Sequence, residues 1–599
     1  MAEPINYGSM KYPETPVNLQ ANQPTPEYGS DILAETLQEM GFKHVFLLPG
    51  SSFRGLHDSL VNHTRNQDPE MIMCTHEAIV MSMAHGYAKA SGVTALAIVH
   101  DLVGLMTGSV GVYDAWCDRA PVLILGGSGP FDPEKRRYID WVHTASMQSD
   151  LIKPFAKWTD EPLTLQSTID SLLKARKISE TVPKGPTYVC TDLGVQEGAI
   201  PDNLVRPDVN LPRFRPAPPM AANPVALEDA AQMLLGAEMP LIVAGRMGRE
   251  LRARDPLVEL AELTGAVMHD DHHLVAFPTQ HAQNLTGDME IRSEADVILA
   301  IDCVDATETY DGYFKGVRGR GGQRLIEMTM EHTQTNSWAH YGGPQSATDL
   351  QIDCDPHFGL AQLIEAVKAG LDGDSDAAKR AQARALVIGA RHEALRAAQL
   401  ERWRLDWDAS PIGTGRMVHE LYQAVKDKPW TMTLRNNRSF PEGLWNFAGA
   451  GDYLGGDGGG GVGYGPGGMV GASLALKGMG RFPVGITGDG DFLMGASAVW
   501  TAVHYQIPTL MVINNNNSWG NDEHHQIRIA GARSRPPENA WIGQRMSEPD
   551  IDFAALARGY GAWAEGPVED PGALADVFRR AVAEVAAGHV AVVDVRTML

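Results

Sequence analysis

The stretch Gly488–Asn517 reads GDGDFLMGASAVWTAVHYQIPTLMVINNNN, an acidic Gly-Asp-Gly turn set one helix and one strand ahead of a run of asparagines. Just before it, VGIT (Val484–Thr487) is apolar enough for a buried strand, Ala496–Tyr505 has helical spacing, and TLMVIN (Thr509–Asn514) reads as the next parallel strand. In such a unit both loops leave the carboxyl ends of neighbouring strands, where open α/β sheets bind their ligands. Asp489 and Asn516, 27 positions apart, can therefore meet at one ion. A carboxylate, an amide oxygen and a backbone carbonyl are the hard donors that Mg2+ or Ca2+ prefers, with phosphate oxygens completing the set. Glycines on either side of Asp489 let the backbone approach those phosphates. An ordinary turn before a polar loop is the bland alternative, and the strand-helix-strand context with its asparagines argues against it.

Working outward, 599 residues and 64.9 kDa exceed one hydrophobic core, and alternating strand and helix patterns indicate consecutive α/β domains. A formal charge of −24 argues against a nucleic-acid surface, which needs a concentrated basic face. No apolar run has the length of a membrane span, and MAEPINYGSMKYPETP lacks the basic and apolar pattern of a signal peptide, so a cytoplasmic enzyme is expected. Cys74, Cys117, Cys190, Cys303 and Cys354 are scattered without metal-ligand pairing and read as reduced, mostly buried thiols.

An arm rich in Pro, Asn and Gln is expected over 1–28, then a first α/β block over 29–200 with strands in HVFLLPG (His44–Gly50), MIMC (Met71–Cys74), TALAIV (Thr94–Val99) and PVLILGG (Pro121–Gly127). Prolines mark 201–220 as a linker. A second block, 221–375, carries PLIVAG (Pro240–Gly245) and DVILAID (Asp296–Asp302); an Ala- and Arg-rich helical linker over 376–409 leads to the third block, 410–599. Each block is expected to be a doubly wound parallel sheet.

In the first block, CTHEAIVMSMAHGYAKASG (Cys74–Gly92) reads as a strand end, a helix opened by Glu77, and a stop at Gly92. A Glu in a first helical turn is explained equally by the helix dipole. Together with the GGGVGYGPG turn (Gly459–Gly467) and the GDG-to-NNNN unit, however, it resembles the thiamine-diphosphate-dependent enzymes built from pyrimidine-binding, central and diphosphate-binding domains. The resemblance covers about residues 28–599 and implies thiamine diphosphate with Mg2+ or Ca2+ as cofactors; the central block gives no strong signal for or against a flavin (FAD). It implies that Glu77 bonds the aminopyrimidine nitrogen, and that Asp489 and Asn516 by side chain and Ser518 by its carbonyl hold the metal. Gly460 falls where a carbonyl receives the aminopyrimidine amine, Val462 where an apolar side chain props the cofactor, and Gly490 and Asp491 in the same cofactor-binding stretch.

Within that family the pattern is nearest to benzoylformate decarboxylase and its acetolactate-synthase-like relatives, through Ser497–Asn516 and HDLVGLMTGSVGVYDAWCDRAP (His100–Pro121). By that likeness His100 moves protons and Ser51 bonds the substrate carboxylate. VDATETY (Val304–Tyr310) shows no histidine where the decarboxylase carries its second one; Thr307 or Glu308 stands nearby. His524 and His525, in a loop SWGNDEHHQ (Ser518–Gln526), are candidates to replace it, while His272, His273 and His281 read as surface or packing residues. The implied activity is a lyase cleaving a C–C bond of a 2-oxo acid or α-hydroxy ketone through an enamine. A carboligase (transferase) or a diketone hydrolase is the alternative. A small carbonyl substrate and a homodimer or homotetramer are implied, because in this family one subunit's Glu serves its partner's cofactor; a non-catalytic binding protein is disfavoured by Glu77, Asp489 and Asn516 together.

Overall fold

The structure is a computed structural model describing residues 12–19, 23–270, 274–288, 290–303, 323–331, 348–435 and 440–599. His272, His273, Thr307 and Glu308 lie outside the described residues. Every strand pairing among them is parallel, in three sheets.

The first sheet holds β1 (His44–Leu47), β2 (Glu70–Met73), β3 (Ala95–Ile98), β4 (Val122–Ser128), β5 (Trp158–Asp160) and β6 (Thr187–Asp192) in the order β2-β1-β3-β4-β6-β5. The second holds β7 (Pro240–Ala244), β8 (Val267–Asp270), β9 (Val297–Ile301), β10 (Arg324–Met328) and β11 (Leu350–Ile352) in the order β11-β10-β9-β7-β8. The third holds β12 (Trp430–Arg435), β13 (Phe482–Gly488), β14 (Thr509–Asn515), β15 (Trp563–Val568) and β16 (Val590–Arg596) in the order β12-β13-β14-β16-β15. Strands covered on both faces must be apolar throughout, and β3, β7 and β9 are buried at every position. The 30-residue helix Ser375–Arg404 braces the second sheet, with Arg384 donating to the Ala237 and Thr264 carbonyls and Arg391 paired with Asp288 and Glu294.

The first and third sheets are joined through two helices. Glu77–Ser91 is capped at its start by His76, whose Nδ1 accepts from the Ala78 N–H (3.1 Å), and stops at Gly92, whose φ of 72° suits glycine. It crosses Tyr464–Gly478 at glycines: a Cβ at Gly86 would lie 2.1 Å from the Gly468 carbonyl oxygen, and one at Gly471 would lie 1.9 Å from that of Met83. One apolar core runs from Phe46 and Ile72 through Val80, Met83 and Met469 to Phe492 and Met511. The helix bearing Glu77 is thereby fixed against the sheet that carries the GDG unit. Gly86→Val should force the helices apart and lower stability by about 3 kcal/mol, read as a urea midpoint shift. Gly236→Ala, whose Cβ meets nothing within 4 Å, should leave the midpoint in place.

Candidate cofactor and active site

Register decides the first half of the site. Gly488 pairs with Asn514, so the loops after β13 and β14 start side by side. The helix Asp489–Gly495 begins at once, and no separate turn intervenes. Asp489 is buried; its Oδ1 accepts from the Gly490 N–H (2.8 Å) and its Oδ2 from the Ser518 N–H (3.3 Å). The same Ser518 N–H reaches the Asn516 Oδ1 at 3.0 Å, which ties the carboxylate and the amide oxygen together. The Ser518 hydroxyl turns inward to Glu523 (2.7 Å), itself held by Arg545, so the backbone carbonyl is the oxygen Ser518 has to offer.

Burial pushes the Asp489 carboxyl up to about 6 against the pull of its backbone donors. Nearby, Oδ1 of Asn514 and of Asn517 are buried without a hydrogen-bond partner among the described residues. Desolvated oxygens without protons are what a hard cation satisfies. The donor set therefore fits Mg2+ or Ca2+ carrying a diphosphate.

Asp491 does different work from the cofactor contact expected of it. Its Oδ1 accepts from the N–H groups of Gly463 (2.6 Å) and Gly465 (3.2 Å), and its Oδ2 from the Thr487 hydroxyl (2.6 Å). It clamps the glycine turn onto β13. In that turn Gly460 (φ 74°) donates to Asp457, and Val462 is 47% exposed. Gly459 and Gly461 press on Asp114 and Val110 of the helix Asp101–Cys117, where an added Cβ would come within 2.5 Å. At Gly490 a Cβ would meet the Trp519 ring at 2.6 Å, so close packing explains that glycine too.

The second half of the site lies at the carboxyl ends of β1, β2 and β3. The order β2-β1-β3 reverses direction at β1, and such a switch point opens a crevice. Glu77 is buried there, its Oε2 accepting from the Thr107 hydroxyl (3.0 Å), while Gly104 leaves room for Oε1, which a Cβ would approach to 2.8 Å. His100 precedes that helix, with Nδ1 2.9 Å from the Ser52 hydroxyl and Nε2 3.2 Å from Nδ1 of His143. Burial, and then the neighbouring His143, lower the His100 pKa against the pull of Glu77. Asp101 follows at φ 36°; its buried Oδ1 has no hydrogen-bond partner among the described residues, and burial pushes its carboxyl up to about 7.

Other expected residues lie elsewhere. Ser51 is exposed and lines an open groove of about 580 Å3 with Arg54, His57 and Asp58; its neighbour Ser52 is the serine that meets His100. His524 and His525 sit on the helix Gly520–Ala532, not on a loop, because Asp522 and Glu523 favour a helix start. There His524 is exposed and His525 bonds Arg528 (2.8 Å). His281 packs on Phe277 near Glu262. Sequence reasoning missed Ser52 and His143: the doublet Ser51-Ser52 held the first, but nothing in WVHTASM marks the second.

Residues 28–149 match the thiamine pyrophosphate enzyme N-terminal TPP binding domain, and 436–595 the C-terminal TPP binding domain. The chain belongs to the thiamine pyrophosphate enzymes. It is 25% identical over 546 residues to benzoylformate decarboxylase of Pseudomonas aeruginosa, covering 88% of this chain and 91% of that one. It is 24% identical over 567 residues to the acetolactate synthase isozyme 3 large subunit of Escherichia coli, covering 89% and 88%. The fold of a thiamine diphosphate-dependent 4-hydroxybenzoylformate decarboxylase from Rhodococcus jostii superposes with a TM-score of 0.73 at 21% identity, over 96% of this chain and 99% of that one. No helix among the described residues of this thiamine pyrophosphate enzyme is long and apolar enough to cross a membrane.

Proposed function

We propose that the protein is a thiamine-diphosphate-dependent lyase that breaks the C–C bond beside the carbonyl of a 2-oxo acid or α-hydroxy ketone. The observation that carries this reading is the convergence of Glu77 and His100 on the start of one helix, whose later turns pack against the glycine turn next to Asp489. Similarity to benzoylformate decarboxylase and acetolactate synthase supports it. Asp489, Asn516 and the Ser518 carbonyl would hold Mg2+ or Ca2+ and the diphosphate, and Gly460 and Val462 would face the rings. When bound, the cofactor supplies an electron sink at the carbon whose bond is broken. Glu77 holds a proton at the aminopyrimidine nitrogen, and His100 moves a proton at the substrate.

Carboligation, favoured by the acetolactate synthase similarity, shares the cleavage step and differs in delivering the product carbon to a second carbonyl instead of a proton. At the carboxyl ends of the second sheet's strands, Glu331 pairs with Arg246 and with Arg119 of the first block (2.7 Å to Arg119), which ties the two domains together. Val103, Met106, Val110 and Tyr113, three or four residues apart, form an exposed apolar stripe on the helix Asp101–Cys117, which supports a homodimer or homotetramer.

Incubating the protein, loaded with Mg2+ and thiamine diphosphate, with aromatic and aliphatic 2-oxo acids and acyloins tests this by NMR. Aldehyde with carbon dioxide marks the decarboxylase, acyloin the carboligase, and one carboxylic acid with one aldehyde from an added 1,2-diketone the hydrolase. Loaded protein that turns over none of them would sink the reading.

A further inference from the structure

We propose that His143 is the positioning partner of His100, and that Ser52, His100 and His143 form one hydrogen-bonded row whose imidazole pair stores a single proton for the reaction. This inference rests on the lyase reading above. It also answers a difficulty that the sequence raises: VDATETY has no histidine, and His524 and His525 lie on an outward-facing helix. His143 closes the helix Tyr138–His143 and is the histidine that meets His100.

The two rings stand edge to face, 5.0 Å apart at 88°, with Nε2 of His100 and Nδ1 of His143 at 3.2 Å. A neutral imidazole has one donor and one acceptor nitrogen, so the bond fixes the tautomer of both rings once its direction is set. If His100 donates, its Nδ1 accepts from the Ser52 hydroxyl; if His143 donates, His100 Nδ1–H donates to the Ser52 oxygen. One added proton makes a shared imidazolium. A second would set two positive charges side by side in a half-buried pocket.

Among the groups facing the pair, Glu77 favours a proton on His100, while burial and His143 oppose it. Glu77 lies on the helix beside the pair and Asp101 follows His100 in the chain. Asp140 and Arg137, paired at 2.8 Å, come from the helix that carries His143 and act on Asp101. In a decarboxylation the carboxylate leaves as carbon dioxide. The carbon that lost it uses the remaining electron pair to form a C–H bond with the stored proton, both rings become neutral, and solvent reprotonates the half-buried His143.

The test compares His143→Ala with His143→Asn, whose amide keeps a hydrogen-bonding group near the place of Nδ1 but cannot titrate. In the cofactor-loaded enzyme both should lose about 10²-fold in kcat, with cofactor affinity and KM unchanged. The basic limb of the kcat/KM profile should move to higher pH, since His143 no longer opposes the proton that His100 has to carry. Imidazole 15N NMR of the unloaded protein should show His100 and His143 titrating as one coupled pair in the wild type and His100 titrating alone in His143→Asn. Restored kcat in His143→Asn would leave His143 a hydrogen-bonding prop with no stored proton, and an unmoved limb would reduce it to packing; either result overturns the proposal. Donor atoms of His100, Asp101 and His143 also lie within 4.8 Å of one another. One equivalent of Zn2+ bound by wild type and lost in His143→Ala would overturn the relay in favour of a metal site. If wild type turns over no 2-oxo acid, the lyase reading falls, while the NMR titration still decides the pairing.

Discussion

Glu77→Gln is expected to lower turnover by at least about 10³-fold while leaving the fold and Mg2+ binding intact. The carboxylate is buried and braced by Thr107, so an amide of nearly the same shape fits the same space. What the amide cannot do is hold a proton at the aminopyrimidine nitrogen. The defect should therefore appear in chemistry, not in packing: circular dichroism and the melting midpoint stay put, and kcat collapses. Hydrogen–deuterium exchange at the thiazolium carbon of added cofactor, followed by NMR, isolates the step without a substrate and should slow by a comparable factor. Activity within about tenfold of wild type would place the essential proton transfer elsewhere. The companion change Thr107→Val removes the hydroxyl that steadies Oε2 and should give a smaller loss, because Gly104 still leaves Glu77 its pocket.

The parts of the chain most readable from sequence are those where burial alone dictates the pattern. TLMVIN becomes β14 and PLIVAG becomes β7 because strands covered on both faces admit only apolar residues. The same reasoning fails where a polar side chain decides. GDG reads as a turn, yet Asp489 opens a helix directly, and Asp491 spends Oδ1 on the glycine turn 26 to 28 residues upstream and Oδ2 on Thr487. SWGNDEHHQ reads as a solvated loop because its residues are polar, but buried Glu523, held by Ser518 and Arg545, anchors a helix there. Choosing Ser51 over Ser52 turns on which way a short 3-10 turn faces, which local composition does not encode. His143 is invisible for a related reason: it reaches His100 across 43 residues of chain, and its neighbours carry no periodic signal.

Asp489→Asn should abolish metal-dependent cofactor binding, with affinity falling by about 10²-fold or more, since even outer partners of a metal ligand cost 10- to 100-fold. The pH behaviour makes the prediction sharper. Burial raises the Asp489 carboxyl to about 6, above its unfolded value near 4. In the unloaded protein the native state therefore binds this proton more tightly than the unfolded chain. Its contribution to stability is full below about pH 4 and is lost as pH rises through about 6, at about 1.4 kcal/mol for each pH unit separating the folded and unfolded values. A divalent cation holds the anionic form and takes the proton's place. Mg2+ with thiamine diphosphate should then raise the melting midpoint more at pH 7.5 than at pH 5, where proton and metal compete for the same oxygens. In Asp489→Asn the unloaded protein should lose this group's share of the decline with pH, and the cofactor should no longer raise the midpoint at either pH. A metal-dependent rise that survives in the variant would mean that the diphosphate is held elsewhere, and that the asparagines after β14 are packing around a carboxylate with no cation to serve.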